Sequence, residues 1–249
     1  MQSTLAFVQI NKRVHNVTGV WGPVDAVHQF CEPHYRTTVY LAECYNALSS
    51  LWYIFLAYRL LRTTKKPLWI LRALAGWLGV IGIGSFLFHG TMRRSMQLLD
   101  EGPMMGSIGT ALWWKLGLHP WSRKRSALWR SCMVIINVGI VLLYIVVGSY
   151  ELFVHGFTSM VVLDTILAYT MKQGDTKLRN QCVATILFAR IFWEMENLWC
   201  ETYPRIWIAH IVWHVASGLA AYYGVLYNVS LQSTTHLENQ DDDKLKKQS

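Results

Sequence analysis

Cys132–Gly148 reads CMVIINVGIVLLYIVVG, with no charged side chain in it. As a helix it is long enough to cross about 30 Å of hydrocarbon. Comparable stretches recur along the chain, at 37–61, 72–91, 98–116, 131–148, 155–171, 181–200 and 206–228. They predict an all-α fold, a seven-transmembrane helix bundle. The loops between them are short and no internal repeat is visible. The expectation is therefore one compact domain at 37–230, preceded by a segment at 1–36 and followed by a disordered tail at 231–249.

Composition agrees. Hydrophobic residues make up 53% of the 249, and the 15% that are charged cluster between apolar runs. That excludes an ordinary soluble domain and a disordered chain. Twelve Trp and twelve Tyr suit a multi-span protein, whose rings anchor at membrane interfaces. The net charge of +8 does not indicate nucleic acid, because the basic residues sit in short loops beside spans. No cleavable signal peptide is expected: Met1–Gly22 lacks a basic start followed by an apolar run.

Loop charges orient the bundle. Arg62, Lys65, Lys66 and Arg72 fall in the first loop, Arg123, Lys124, Arg125 and Arg130 in the third, and Lys172, Lys177 and Arg179 in the fifth. Even-numbered loops carry little beyond Arg93 and Arg94. Odd loops are thus expected in the cytosol, with the N-terminus lumenal and the C-terminus cytosolic. The sequon Asn16-Val17-Thr18 would be usable on the lumenal side. The ending Lys246-Lys247-Gln248-Ser249 resembles a cytosolic dilysine retrieval signal, which points to endoplasmic reticulum or Golgi membrane.

Against this apolar background stands Gly84–Met105, GSFLFHGTMRRSMQLLDEGPMM. Ionisable residues inside membrane segments are costly unless they face a cavity, a partner or a metal. Ser85 and His89 are four apart and share a helix face. His210 and His214 repeat that spacing in the last span, and such a pair can chelate one ion. At matching depth lie His89, Asp100, Glu43, Glu194, Glu196 and Asn197. Three imidazoles leave a fourth position open for water and lower its pKa towards about 7, the arrangement of a catalytic zinc site. Asp100 would then move the proton, and Ser85 would hydrogen-bond the water or a developing oxyanion. A nucleophilic Ser85–His89–Asp100 triad is the competing chemistry, but it leaves His210 and His214 unexplained. His28, His34, His119, His155 and His236 read as interfacial, and the Trp-rich patches as anchors and packing.

The ordered motifs resemble those of the alkaline ceramidases, seven-helix membrane amidases. They are Gly19–Tyr35 (GVWGPVDAVHQFCEPHY), Tyr40-Leu41-Ala42-Glu43, Asn46-Ala47-Leu48-Ser49, Gln97-Leu98-Leu99-Asp100-Glu101, Trp193–Glu201 (WEMENLWCE) and the closing His210-Ile211-Val212-Trp213-His214. The resemblance implies that His89, His210 and His214 bind zinc, that Asp100 and Ser85 orient and activate water, and that the reaction is hydrolysis of the ceramide amide to a sphingoid base and a fatty acid. It implies a lipid substrate and the bilayer as partners, with no obligate protein partner. It also implies a disulfide between Cys31 and Cys200, while Cys44, Cys132 and Cys182 read as small packing residues. A calcium site of Glu32 and Glu43 belongs to the same resemblance. Here it is weakened, because Gln29 and His34 stand where the family pattern has Asp and Asn, and calcium gains affinity from carboxylates. Two other functions fit the same residues less well: a membrane hydrolase of ester lipids, of the kind that remodels GPI-anchor acyl chains, and a seven-helix lipid receptor with structural zinc.

Overall fold

The computed structural model describes residues 18–63 and 68–248. Asn16 lies outside them. Seven α-helices follow in order: α1 (Cys44–Arg62), α2 (Trp69–Thr91), α3 (Arg94–Leu118), α4 (Ser126–Val147), α5 (Tyr150–Thr170), α6 (Thr176–Trp199) and α7 (Ile208–Gln248). Among the described residues there is no strand, only two isolated bridges, Gly19 with Gly22 and Thr38 with Leu41.

Several boundaries differ from expectation for local reasons. α1 begins at Cys44, well after residue 37, because its first turn is capped from a distance. The Glu32 carboxylate accepts the backbone N–H groups of Tyr45 and Asn46, at 2.8 Å each. Those are donors that a helix start leaves without a partner. α6 begins at Thr176, earlier than 181, because Asp175 caps it by accepting from the N–H groups of Lys177 and Leu178. α7 runs on as helix to Gln248, through the stretch expected to be a disordered tail. Its Leu, Glu, Gln and Lys residues are good helix formers.

α2, α4 and α5 are each long and apolar enough to cross a membrane. α4 buries little beyond Met133 and Tyr144, while Val134, Ile135, Leu142, Leu143 and Val146 point outwards. An apolar outer surface of this extent suits lipid rather than water. The other helices are more polar, and part of that polarity is turned inwards: Asp100, Glu101 and Lys115 of α3 and His210 and His214 of α7 are all buried.

α3 and α7 form the centre. One apolar cluster joins Leu56, Leu71, Leu74 and Leu78 of α1 and α2 to Ala111 and Val225. A second joins Met133, Phe153 and Trp193 of α4, α5 and α6 to Leu112 and Trp213. Both clusters therefore share α3 and α7, and a cavity of about 200 Å³ lies between them.

The N-terminal segment folds across the end of the bundle where α2 stops and α7 starts. Asp25 and Ala26 donate their N–H groups to the carbonyl of Met92, at the corner between α2 and α3. Val27 N–H donates to Gln97 Oε1 (2.8 Å). Cys31 forms a disulfide with Cys200, at the end of α6, across 169 residues of sequence. Cys44, Cys132 and Cys182 are free thiols. Removing a disulfide that closes so long a loop costs roughly 2–4 kcal/mol. Cys31→Ser/Cys200→Ser is accordingly expected to unfold at a lower temperature in detergent, and an unchanged midpoint would mean the link adds no stability.

Candidate metal centre and active site

α2 ends with His89 in its last turn, and α7 opens with His210 and His214 on one face. These elements bring the three imidazoles together. Their ligand atoms all lie within 4.8 Å of one another, and all three residues are buried. The group can hold a metal ion.

What orients the rings is a separate oxygen acceptor for each Nδ1. His89 Nδ1–H donates to Glu43 Oε2 (2.7 Å), His210 Nδ1–H to Glu196 Oε2 (2.7 Å) and His214 Nδ1–H to Ser49 Oγ (2.7 Å). The direction of the last bond follows from the serine, whose own proton is given to the carbonyl of Asn46 (2.9 Å). A neutral imidazole that donates from Nδ1 keeps its lone pair on Nε2. Three such rings are the donor set of a borderline ion such as zinc, and oxygen partners on the far nitrogens are what metal-binding histidines normally have.

The carboxylates implied for calcium are engaged otherwise. Both Glu32 oxygens accept the backbone N–H groups of α1. Glu43 Oε1 pairs with His34 Nε2 (3.2 Å), and Oε2 takes Asn46 Nδ2 as well as His89. Calcium asks for 6–8 oxygen ligands, about as many as an EF-hand supplies. Two committed carboxylates beside an imidazole do not fit it. Burial pushes the Glu32 carboxyl up to about 7, against the two N–H groups that favour its charged form.

Asp100 and Ser85 line the cavity together with the three histidines. Ser85 Oγ lies 2.9 Å from Ser50 Oγ, whose single proton is shared between Ser85 and the Asn46 carbonyl (2.9 Å). α3 comes close enough for this because residue 84 is glycine: a Cβ there would run into the backbone carbonyl of Leu99, next to Asp100. The Leu99 carbonyl is also left without its helical donor, since Pro103 has no N–H. Glu101 also lines the cavity and accepts from Gln97 Nε2 (2.9 Å).

Of the acidic cluster at the end of α6, only Glu196 belongs to the centre; Glu194 pairs with Arg190. Cys31 N–H donates to Glu196 Oε1 (3.0 Å), so the disulfide segment and His210 share one carboxylate. Phe30 covers the site, its ring 4.0 Å from that of His210 and 5.1 Å from that of His89. Sequence reading missed Ser49 and Phe30 as site residues, because a serine and a phenylalanine carry no signal of their own in such a chain. His34 and His119 are buried rather than interfacial: His34 is held by Glu43, and His119 Nε2 lies 3.1 Å from Thr170 Oγ1. His28 stacks on Tyr150 (3.9 Å), and burial lowers its pKa to about 4, so it is neutral.

The family model for ceramidase matches residues 22–248. The chain belongs to the ceramidase family. It is similar to alkaline ceramidase 3 of Mus musculus, with 25% identity over 85% of each chain. An alkaline ceramidase of Arabidopsis thaliana is 27% identical, over 83% of this chain and 84% of its own. Alkaline ceramidase YPC1 of Saccharomyces cerevisiae is 25% identical, over 87% and 79%. As a member of this family the chain is an enzyme, a hydrolase acting on amide bonds.

Two outcomes test this geometry. Glu196→Ala and Ser49→Ala are each expected to lower metal affinity about 10–100-fold, read by chelator competition on the purified protein. Unchanged affinity would mean that packing alone holds the rings. Gly84→Ala is expected to push α3 away from Ser85 and slow hydrolysis about 100-fold while the metal stays bound.

Proposed function

We propose that this ceramidase-family chain hydrolyses the amide bond of ceramide, or of its dihydro and phyto forms, to a sphingoid base and a free fatty acid, with zinc held by His89, His210 and His214. The observation that carries the reading is the buried three-histidine group opening into an apolar cavity that also holds Asp100 and Ser85. A purely structural metal site would need neither the cavity nor the carboxylate. Bound zinc would supply Lewis-acid polarisation of the amide carbonyl and a water acidic enough to attack it at neutral pH.

The remaining chemistry belongs to the chain. The Asp100 carboxylate takes a proton from the attacking water and returns it to the departing nitrogen, so that one water is consumed and an amine and an acid leave. Ser85 Oγ donates a hydrogen bond to the oxygen on which negative charge develops. Glu43, Glu196 and Ser49 hold the three imidazoles turned inwards through their Nδ1–H groups. Phe30 and the disulfide segment exclude bulk water from one end. The cavity walls are apolar, which lets a lipid tail stay in a hydrocarbon-like setting while its amide reacts.

The setting we infer is a seven-span bundle in endoplasmic reticulum or Golgi membrane, with the metal centre at the lumenal end. The loop charges, the outward apolar faces and a disulfide beside the centre support it, since disulfides persist in oxidising compartments.

The test is release of sphingoid base from a ceramide panel by purified protein. Chelation is expected to abolish it and zinc to restore it. His214→Ala and Asp100→Asn are each expected to lose at least about 100-fold, and Ser85→Ala about 10–100-fold, within the range of such groups. Base release that survives His214→Ala would sink the zinc reading. Turnover of an ester lipid but of no ceramide would reassign the substrate.

A further inference from the structure

The cavity continues far beyond the metal centre. On α3 its lining includes Asp100, Met104, Ile108, Ala111 and Lys115, at steps of three and four, with Glu101 and Ser107 beside them on the same helical face. Asp100 and Lys115 are fifteen residues apart in the sequence, about 22 Å at 1.5 Å per residue. That exceeds half of the about 30 Å hydrocarbon core, and so spans the depth of one leaflet's lipid chains. α7 lines the same slot from His210 to Asn228.

The far end is not apolar. Lys115 Nζ bonds Asp164 Oδ1 of α5 at 2.7 Å, and the Lys115 side chain is 1% exposed. Both residues line the cavity. Ala168, Arg179, Tyr227 and Asn228 line the same end, where Met171 and Leu231 pack against Ala168 and Tyr227. An ion pair at the end of a largely apolar slot offers nothing to a methyl end, and entering it would part Lys115 from Asp164, whose side chain is only 19% exposed.

We propose that the Lys115–Asp164 pair is the floor of an acyl slot and sets the length of the chain it accepts. This rests on the proposed amide-lipid substrate for its biological meaning, but binding of a simple alkyl chain tests it independently. A chain lying along α3 from Asp100 keeps gaining contact with Met104, Ile108 and Ala111 as it lengthens. The gain stops at Lys115, where further methylenes meet charge. Replacing both partners by apolar side chains of similar volume leaves no unpaired charge, and such exchanges are commonly neutral or stabilising.

The experiment uses purified full-length protein and a homologous series of straight-chain fatty acids from dodecanoate to hexacosanoate, with affinity read by thermal shift. Wild type is expected to bind more tightly with length up to an optimum and to lose affinity beyond it. In Lys115→Met/Asp164→Leu the longest acids are expected to bind at least about tenfold more tightly than to wild type, the lower end of what added methylenes are worth in an apolar pocket. The shortest acids are expected to be unaffected. Ala111→Phe, which puts a ring into the slot above the floor, is expected to move the optimum to shorter chains. A length profile that neither substitution moves, or no binding of any acid to wild type, overturns the proposal. Base release from ceramides, measured alongside, reports separately on the function: a shifted binding profile with no ceramide turnover would keep the slot and reject the substrate.

Discussion

Three imidazoles buried side by side in an apolar bundle cannot each keep a proton on the same side without somewhere to put it. Glu43, Glu196 and Ser49 answer that constraint, one acceptor for each Nδ1. Were any ring left without its acceptor, it would be free to turn or to donate from Nε2, and the lone pairs would no longer converge. The cost of an unpaired polar group in such surroundings is about 1–3 kcal/mol, enough to select one arrangement. Much of the rest of this end of the molecule can be understood as the means of delivering those three oxygens.

The delivery involves pieces remote in sequence. Glu43 is free to serve His89 because Glu32, from the preceding segment, caps α1 in its place. Glu196 stands at the end of α6, where the Cys31–Cys200 disulfide and the Cys31 N–H hold the same turn. The N-terminal segment is thus part of the centre: it caps a helix, orients a carboxylate and lays Phe30 over two histidine rings. His34, bonded to Glu43 in the region where the resemblance implied calcium, belongs to this network as an imidazole rather than as a place for a hard cation.

α3 holds the other half of the design. Asp100, Glu101 and Lys115 would be expensive to expose in an apolar setting, and here each of the three is turned inwards. Asp100 lines the cavity with the histidines, Glu101 is bonded by Gln97, and Lys115 is paired with Asp164. The close approach at Gly84 places one end of this helix against Ser85, while its other end reaches the ion pair about 22 Å away. One helix therefore carries both the carboxylate beside the histidine group and the lysine of the ion pair.

How much of this could be read without coordinates differs from residue to residue. The run Cys132–Gly148 speaks for a membrane helix because length and apolarity act locally, within one turn after another. The HxxxH of α7 and the Ser85–His89 spacing are legible for the same reason, since helical period alone puts those side chains on one face. His89 is drawn to His210 and His214 by the argument that buried ionisable groups need partners, and the structure brings the three together. Helix starts at Cys44 and Thr176 were less legible: one depends on a carboxylate twelve residues upstream, the other on a cap that hydropathy does not see. Ser49 and Phe30 carried no readable signal of their own, and Lys115 and Asp164, though charged inside expected spans, gave no sign locally that they pair with each other. Sequence by itself determined an all-helical chain with membrane-length apolar runs and the kinds of ligand it could offer, because those follow from periodicity and the cost of burying charge. Only tertiary structure decided which oxygen holds which ring, that Glu32 and Glu43 are spent on a helix cap and on histidines, and where the cavity ends. Those outcomes hang on contacts between residues up to 165 apart, and nothing local in the chain specifies them.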